Sequence, residues 1–217
     1  MNIELNDILK NSFVITIDDE RYGAFVKNFT DAGLNTPLPK KFIGFQLLNG
    51  AQRGTGFVKT NNICNCAFSH VAVVKTAQAL GLDYTCVFED DALPCRGCRD
   101  KLEKCVLDIP DGADLVKFGY SAVSKNPVRV NGAFERSKTT GSHAYMIFKK
   151  YYSMFVENAY RDLHIDQSAL NDPGRNIYQT SQLLFAWTVN DTGRCLHDTS
   201  KYLDILRRMG RLIDFDP

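Results

Sequence analysis

Apolar and polar positions along the chain change period several times, and each change marks an element. Phe13–Ile17, FVITI, is an apolar, β-branched run ending in Asp18, Asp19 and Glu20, which predicts a first strand. In the following ERYGAFVKNFTDAGL, Tyr22, Phe25, Val26 and Phe29 recur at helical spacing until Ala32 and Gly33 stop them. FIGFQLLNG predicts a second strand near Phe42–Leu48, and NGAQRGTGFVKTNN a Gly-bearing loop. A helix is expected from near Cys64 through FSHVAVVKTAQALG, with Gly81 as its stop. YTCVFEDD then reads as a buried strand, RDKLEKCVLDI after Pro94 as a helix, and DLVKFGYSAV at Asp114–Val123 as a fourth strand.

From Pro127 onward the pattern loosens. VRVNGAFER is followed by SHAYMIFKKYYSMFVENAY, which starts strand-like and becomes helical, then by HIDQSALNDPG as a short helix or loop. IYQTSQLLFAWTV reads as a late strand, and DTGRCLHDTSKYLDILRRMGRLI as a partly helical tail over about 200–217. Strands alternating with helices predict an α/β layer fold with mostly parallel strands. No repeat or linker divides the chain, so a single domain over 1–217 is expected.

Composition mainly excludes. With 217 residues, 44% hydrophobic and 24% charged, the chain is long enough for one large core. A formal charge of +1 without a basic block gives no electrostatic footprint for nucleic acid. The start, MNIELNDILKNSFVITI, lacks the features of a secretory signal, and no segment approaches the ~18 apolar residues of a membrane span. Seven cysteines, an odd number, point to reduced thiols in a cytoplasm.

The chemistry concentrates at Glu89, Asp90 and Asp91, three carboxylates directly after an apolar strand. In open α/β sheets ligands sit beyond the carboxyl ends of the strands, where this triplet falls. Alternation along an extended segment turns Glu89 and Asp91 one way and Asp90 the other. Hard oxygen ligands suit Mg, Mn or Ca, whose common enzymatic use is to hold phosphate oxygens. The alternative is a solvated turn in which Asp90 or Asp91 caps the next helix. The cysteines offer a competing pattern, Cys64-x-Cys66 followed by Cys95-Arg96-Gly97-Cys98 and Cys105, which invites a zinc site or a redox pair although the spacing fits two zinc-binding pairs poorly.

NCAFSHVAVVKTAQALGLDYTCVFEDDA as a unit resembles the central signature of glycosyltransferase family 25, at Cys66, Ser69, His70, Gly81 and Glu89-Asp90-Asp91. That family includes bacterial lipooligosaccharide galactosyltransferases and animal collagen galactosyltransferases. In the same order along the chain, FVITIDDER resembles the family's opening strand, with Asp18 and Arg21 at its polar positions. NGAQ, DLVKFG, GSHAYMIF and HID resemble later segments, HID placing Asp166 at the family's acid, and LHDTS resembles the element near the end. The chain departs from the pattern in having one Arg after the first strand, Val74 in place of a common Trp, and His197 in place of a Ser.

The resemblance implies a GT-A-type, Rossmann-like fold and an inverting, metal-dependent transfer from a nucleotide-sugar donor, galactose most often. It implies Mn or Mg held by Glu89 and Asp91, with His197 as a further ligand. The donor would be held by Asp18, Arg21, His70 and Asp90, and Asp166 would be the catalytic base. A surface ion pair for Asp18 and Arg21, a helix-steadying Ser69 and a satisfied buried His70 are the structural alternatives. The acceptor implied is a lipid-linked or lipooligosaccharide glycan. LRRMGRLI in the tail has the apolar and basic residues for peripheral contact with an anionic membrane face, or for an ordinary amphipathic helix end. The competing readings are a degenerate, non-catalytic relative and a zinc-stabilised interaction domain.

Overall fold

The computed structural model describes residues 3–46, 56–123 and 126–187, without the side chains of 56–61 and 122–123. In chain order the elements are α1 (Leu5–Lys10), β1 (Ser12–Thr16), α2 (Asp19–Asp31), β2 (Lys40–Ile43), α3 (Gly56–Ala79), β3 (Tyr84–Glu89), β4 (Ala92–Pro94) and α4 (Cys98–Leu107). There follow β5 (Leu115–Gly119), β6 (Ala122–Val123), β7 (Val128–Arg129), β8 (Phe134–Arg136), β9 (Thr139–Thr140), β10 (Ala144–Phe148), α5 (Tyr152–Arg161), β11 (Ile177–Thr180) and β12 (Phe185–Trp187).

The main sheet runs β2-β1-β3-β10-β5-β11-β8-β7. β1 pairs in parallel with β2 and β3, and β5 with β11, while β10 lies antiparallel between β3 and β5. Five central strands therefore share one direction and a single strand opposes them. This inserted strand enters the sheet where its neighbours leave it, so its leading residues, Ser142 and His143, arrive at the carboxyl ends of β1, β3 and β5.

Both faces of the sheet are covered, which is why β1 and β3 read as unbroken apolar runs. Val14, Cys86, Phe88, Val116 and Phe118 point to one face, against Phe25 and Phe29 of α2 and Leu102 and Val106 of α4. Their neighbours Phe13, Ile15, Val87 and Leu115 point to the other, against Val71 and Val74 of α3 and Phe155 of α5. The alternation is the two-residue period of a strand, doubled because each face has its own helices.

Several boundaries differ from the sequence reading. The second strand closes at Ile43, and α3 begins at Gly56, well before Cys64. Gly, Thr and Asn in GTGFVKTNN have weak helix propensity and read as a loop, but propensity yields to tertiary context. The late strand breaks into β11 and β12 because Ser181 N–H bonds to Ala133 and Leu184 N–H to Phe118, carrying the chain from one neighbour to another. α1 was not anticipated; Leu5, Ile8 and Leu9 bury one side of a single short turn pair. NGAQ, His197, Asp198 and the tail lie outside the described residues. Among those described, no helix is long and apolar enough to cross a membrane.

Candidate active site

At the carboxyl ends of β1 and β3 lies a cleft of about 260 Å³, lined by Thr16, Arg21, Gln46, Asn65, Cys66, Ser69, His70, Glu89 and Asp90, among others. Each wall follows from the local sequence. β1 ends where Asp18, in extended conformation, caps α2 by accepting the Arg21 backbone N–H at 2.8 Å. The cap begins the helix at Asp19, and one turn of helix swings the Arg21 side chain over the end of β3.

There the Arg21 guanidinium grips Asp90 with two hydrogen bonds, Nε to Oδ2 at 2.8 Å and an N–H of Nη2 to Oδ1. Thr16 Oγ1 donates to the same Oδ2 at 2.8 Å. Asp90 turns towards β1 as strand alternation predicts, and both its oxygens are occupied. Asp18 acts here as the helix cap, the structural role weighed for it. Arg21 serves as the clamp of an acid rather than standing alone as a cation.

Ser69 and His70 come from the middle of α3. Ser69 Oγ donates to Asn65 O at 2.6 Å and accepts the Phe45 N–H at 2.9 Å, so it fastens the helix to the segment after β2. A Cβ on Gly44 would meet Ser69 Oγ and the Ile15 side chain at 3.2 Å, so this approach needs a small residue. His70 is buried, with Nδ1 2.9 Å from the Tyr145 hydroxyl of β10. Its Nε2 lies 3.3 Å from Glu89 Oε1 and has no well-formed hydrogen bond.

Glu89 also accepts a hydrogen bond from Ser142 Oγ, and its backbone N–H bonds to His143 O at 3.0 Å. Burial works against its charge, but the hydrogen bond and charge of His70, together with Ser142, carry its pKa down to about 2. Asp91 shows the opposite. Burial first, then the negative charges of Glu89 and Asp90, push its pKa up to about 8. Its Oδ1 is buried with no partner. Two neighbouring carboxylates pushed to opposite sides of neutrality, one with a stranded oxygen, form a site that a divalent cation would relieve.

Asp166 reaches the same region by another route. Gly141 N–H points at its Oδ2 at 3.5 Å, and Gly141 adjoins the Ser142 that holds Glu89. Burial and then the charges of Glu89 and Asp166 push the Cys66 thiol well above its usual range, so all three groups share one neighbourhood. Behind Asp166, Lys117 is buried and donates to Thr139 O, Thr139 Oγ1 and Asn171 Oδ1 at 3.0–3.2 Å. Burial brings it down to about 7 while the charge of Asp166 holds it up.

His143 is the other buried imidazole, with Nε2 3.1 Å from Phe185 O, and burial lowers its pKa. A Cβ on Gly119 would stand 2.5 Å from His143 Cδ2 and 2.9 Å from Phe185 O. Gly119→Ala is expected to cost about 1–3 kcal/mol by forcing this junction apart, read from denaturant unfolding. An unchanged midpoint would show that β5 and β10 tolerate separation there.

The four-cysteine zinc arrangement is not formed. Cys66 packs with the α3 face of the sheet, whereas Cys95, Cys98 and Cys105 pack with the α4 face. Sequence reasoning did not single out Ser142, Tyr145, His143 and Lys117. Cys66 was noted within the family signature and the Cys64-x-Cys66 pair, yet its i, i+4 spacing to His70 was the sign that both share one helix face.

The main-sheet order, the single antiparallel insertion and the cleft at the strand ends have a counterpart among solved structures. A glycosyltransferase involved in glycosylation of the major capsid of PBCV-1 superposes with a TM-score of 0.50, covering 91% of this chain and 98% of that one at 7% identity. The chain has a GT-A-type nucleotide-sugar transferase fold. Lesser likenesses are to a Thermus thermophilus mannose-1-phosphate transferase (TM-score 0.45, 9% identity, 82% of this chain and 76% of that one) and to a Drosophila beta-1,4-galactosyltransferase 7 variant in complex with manganese, UDP-Gal and xylobiose (TM-score 0.45, 10% identity, 88% and 78%). No described family matches the chain, and no curated protein does.

Proposed function

We propose that this chain is a glycosyltransferase of the family 25 type. It moves a sugar, galactose foremost, from a nucleoside-diphosphate donor to a hydroxyl of a lipid-linked or lipooligosaccharide-type glycan, with inversion. The observation that carries the reading is the stranded Asp91 oxygen beside Glu89 at the carboxyl end of β3, in a sheet of the GT-A type. An unpaired buried carboxylate is costly, and it persists where a ligand completes it.

Glu89 and Asp91 fit a hard divalent cation, Mn or Mg, which when bound would offset the charge that builds on the departing diphosphate. Arg21, fixed by Asp90, keeps a positive charge at the cleft wall. Gln46 and Asn65, which also line it, offer amides to a nucleotide. The acceptor oxygen attacks the anomeric carbon as the bond to the diphosphate breaks, and its proton passes to an Asp166 carboxylate oxygen. Asp166→Asn is expected to lower kcat by about 10²–10⁴-fold with little change in donor KM. Normal turnover in that variant would remove Asp166 from the mechanism.

The reading is tested by incubating the protein with UDP-galactose, UDP-glucose and GDP-mannose, each with and without Mn, and measuring released nucleotide. Metal-dependent release from one donor supports it. Failure to consume any of them in protein shown to be folded would favour a degenerate, binding-only relative.

A further inference from the structure

We propose that Cys66, His70 and Glu89 form a zinc-class metal site in the wall of the cleft, with a fourth coordination position open to it. A sulfur, an imidazole nitrogen and a carboxylate oxygen from these residues lie within 4.8 Å of one another, and all three residues line the cleft. The inference stands independently of the transferase reading, because it concerns a softer ligand set than the carboxylate pair Glu89 and Asp91.

The sequence builds the site from two rigid elements. Cys66 and His70 are one helical turn apart on α3, so both side chains project from the same face. Glu89 ends β3, and its backbone is fixed by His143 O on the neighbouring strand. Sites on helices and strands hold geometry better than sites on loops.

His70 is the second, independent observation. It is 1% exposed, yet Nε2 has no hydrogen-bond partner and points at Glu89 Oε1 from 3.3 Å. In a tetrahedral zinc site with metal–ligand distances near 2.0–2.3 Å, ligand atoms sit roughly 3.5 Å apart, so this pair is already at coordination spacing. The other ring nitrogen is 2.9 Å from the Tyr145 hydroxyl. Donating Nδ1–H to Tyr145 leaves the Nε2 lone pair free for a metal, the usual outer support of a ligating histidine. Ser142, hydrogen-bonded to Glu89, plays the same part for the carboxylate.

Chemistry sets the class of ion. One thiolate, one imidazole and one carboxylate suit zinc or cobalt better than magnesium or calcium, which prefer oxygen throughout. On binding, the Cys66 thiol gives its proton to solvent and the sulfur becomes the ligand. Three protein ligands and a free position match zinc centres that also hold a water or a substrate oxygen.

The test is a Co²⁺ titration of the full-length protein, stripped of metal under reducing conditions and followed by absorption. One equivalent is expected to give a near-ultraviolet thiolate-to-cobalt band and visible bands of four-coordinate intensity, both displaced by Zn²⁺. Cys66→Ser should abolish the near-ultraviolet band, and His70→Gln should weaken Co²⁺ affinity by about 10-fold or more, with far-ultraviolet circular dichroism unchanged in each. Asp91→Asn and the double variant Cys95→Ser/Cys98→Ser should retain both features. No thiolate band in the folded wild type, or a band that survives Cys66→Ser and disappears in the Cys95/Cys98 variant, overturns the proposal. Because the readout is spectroscopic and Asp91 lies outside the ligand set, an inactive protein with an intact cobalt signal would sink the transferase reading alone. A metal-dependent transferase without the signal would sink this one alone.

Discussion

Asp91→Asn is expected to lower kcat/KM for sugar transfer by about 10²–10³-fold, while leaving the metal-free protein more stable than the wild type at neutral pH. The two effects have one cause. The Asp91 carboxyl is pushed up to about 8 in the folded chain against an ordinary 3.8, so between those values the folded state holds a proton that the unfolded state has released. Stability then falls as pH rises through that window and levels off above it. An amide at this position cannot ionise, so the stability difference between variant and wild type should widen from about pH 4 to pH 8. Added Mn²⁺ should stabilise the wild type most at the high end of the window, where the carboxylate is free to bind, and should have little effect on the variant. Urea midpoints across this range, with and without Mn²⁺, give the result. A pH-independent difference would mean that Asp91 ionises normally and is not held against its neighbours.

Arg21→Ala is expected to destabilise the fold by about 2–4 kcal/mol, because it leaves Asp90, 4% exposed at its side chain, with Thr16 as its remaining side-chain partner. For a chain of this size that is a fall in Tm of roughly 5–15 °C. Arg21→Lys should recover only part of it, since an ammonium cannot reproduce the two-pronged grip on the carboxylate. Arg21→Ala combined with Asp90→Asn should recover more, because no uncompensated charge remains. Calorimetric unfolding of these variants decides the point. A loss below ~0.5 kcal/mol in Arg21→Ala would show that the pair behaves as an exposed one.

Legibility from sequence followed the range of the interactions. β1, α2, β3, α4 and β10 were visible because each combines an uninterrupted period with a terminating residue nearby: Asp18 at the start of α2, Gly81 before β3, the left-handed Gly97 before α4. The position of the Glu89–Asp91 triplet at a strand end, and the turning of Asp90 away from its neighbours, followed from strand alternation alone. The partners did not. Arg21 is 69 positions from Asp90 in sequence, and Tyr145 is 75 from His70, so only the order of strands in the sheet brings them together. The reversal of β10 was equally hidden, because an apolar strand reads the same in either direction. That reversal delivers Ser142 to Glu89 and Gly141 to Asp166, and it joins the acidic triplet to the proposed base.

The most direct test of the central claim is thermal unfolding of the full-length protein with UDP, GDP and CMP, each with and without Mn²⁺, alongside Asp91→Ala. Ligands that bind only the folded state raise Tm. The account predicts a rise with one nucleoside diphosphate that requires the metal and disappears in Asp91→Ala. No rise with any nucleotide, or a rise that persists in Asp91→Ala without metal, would contradict it.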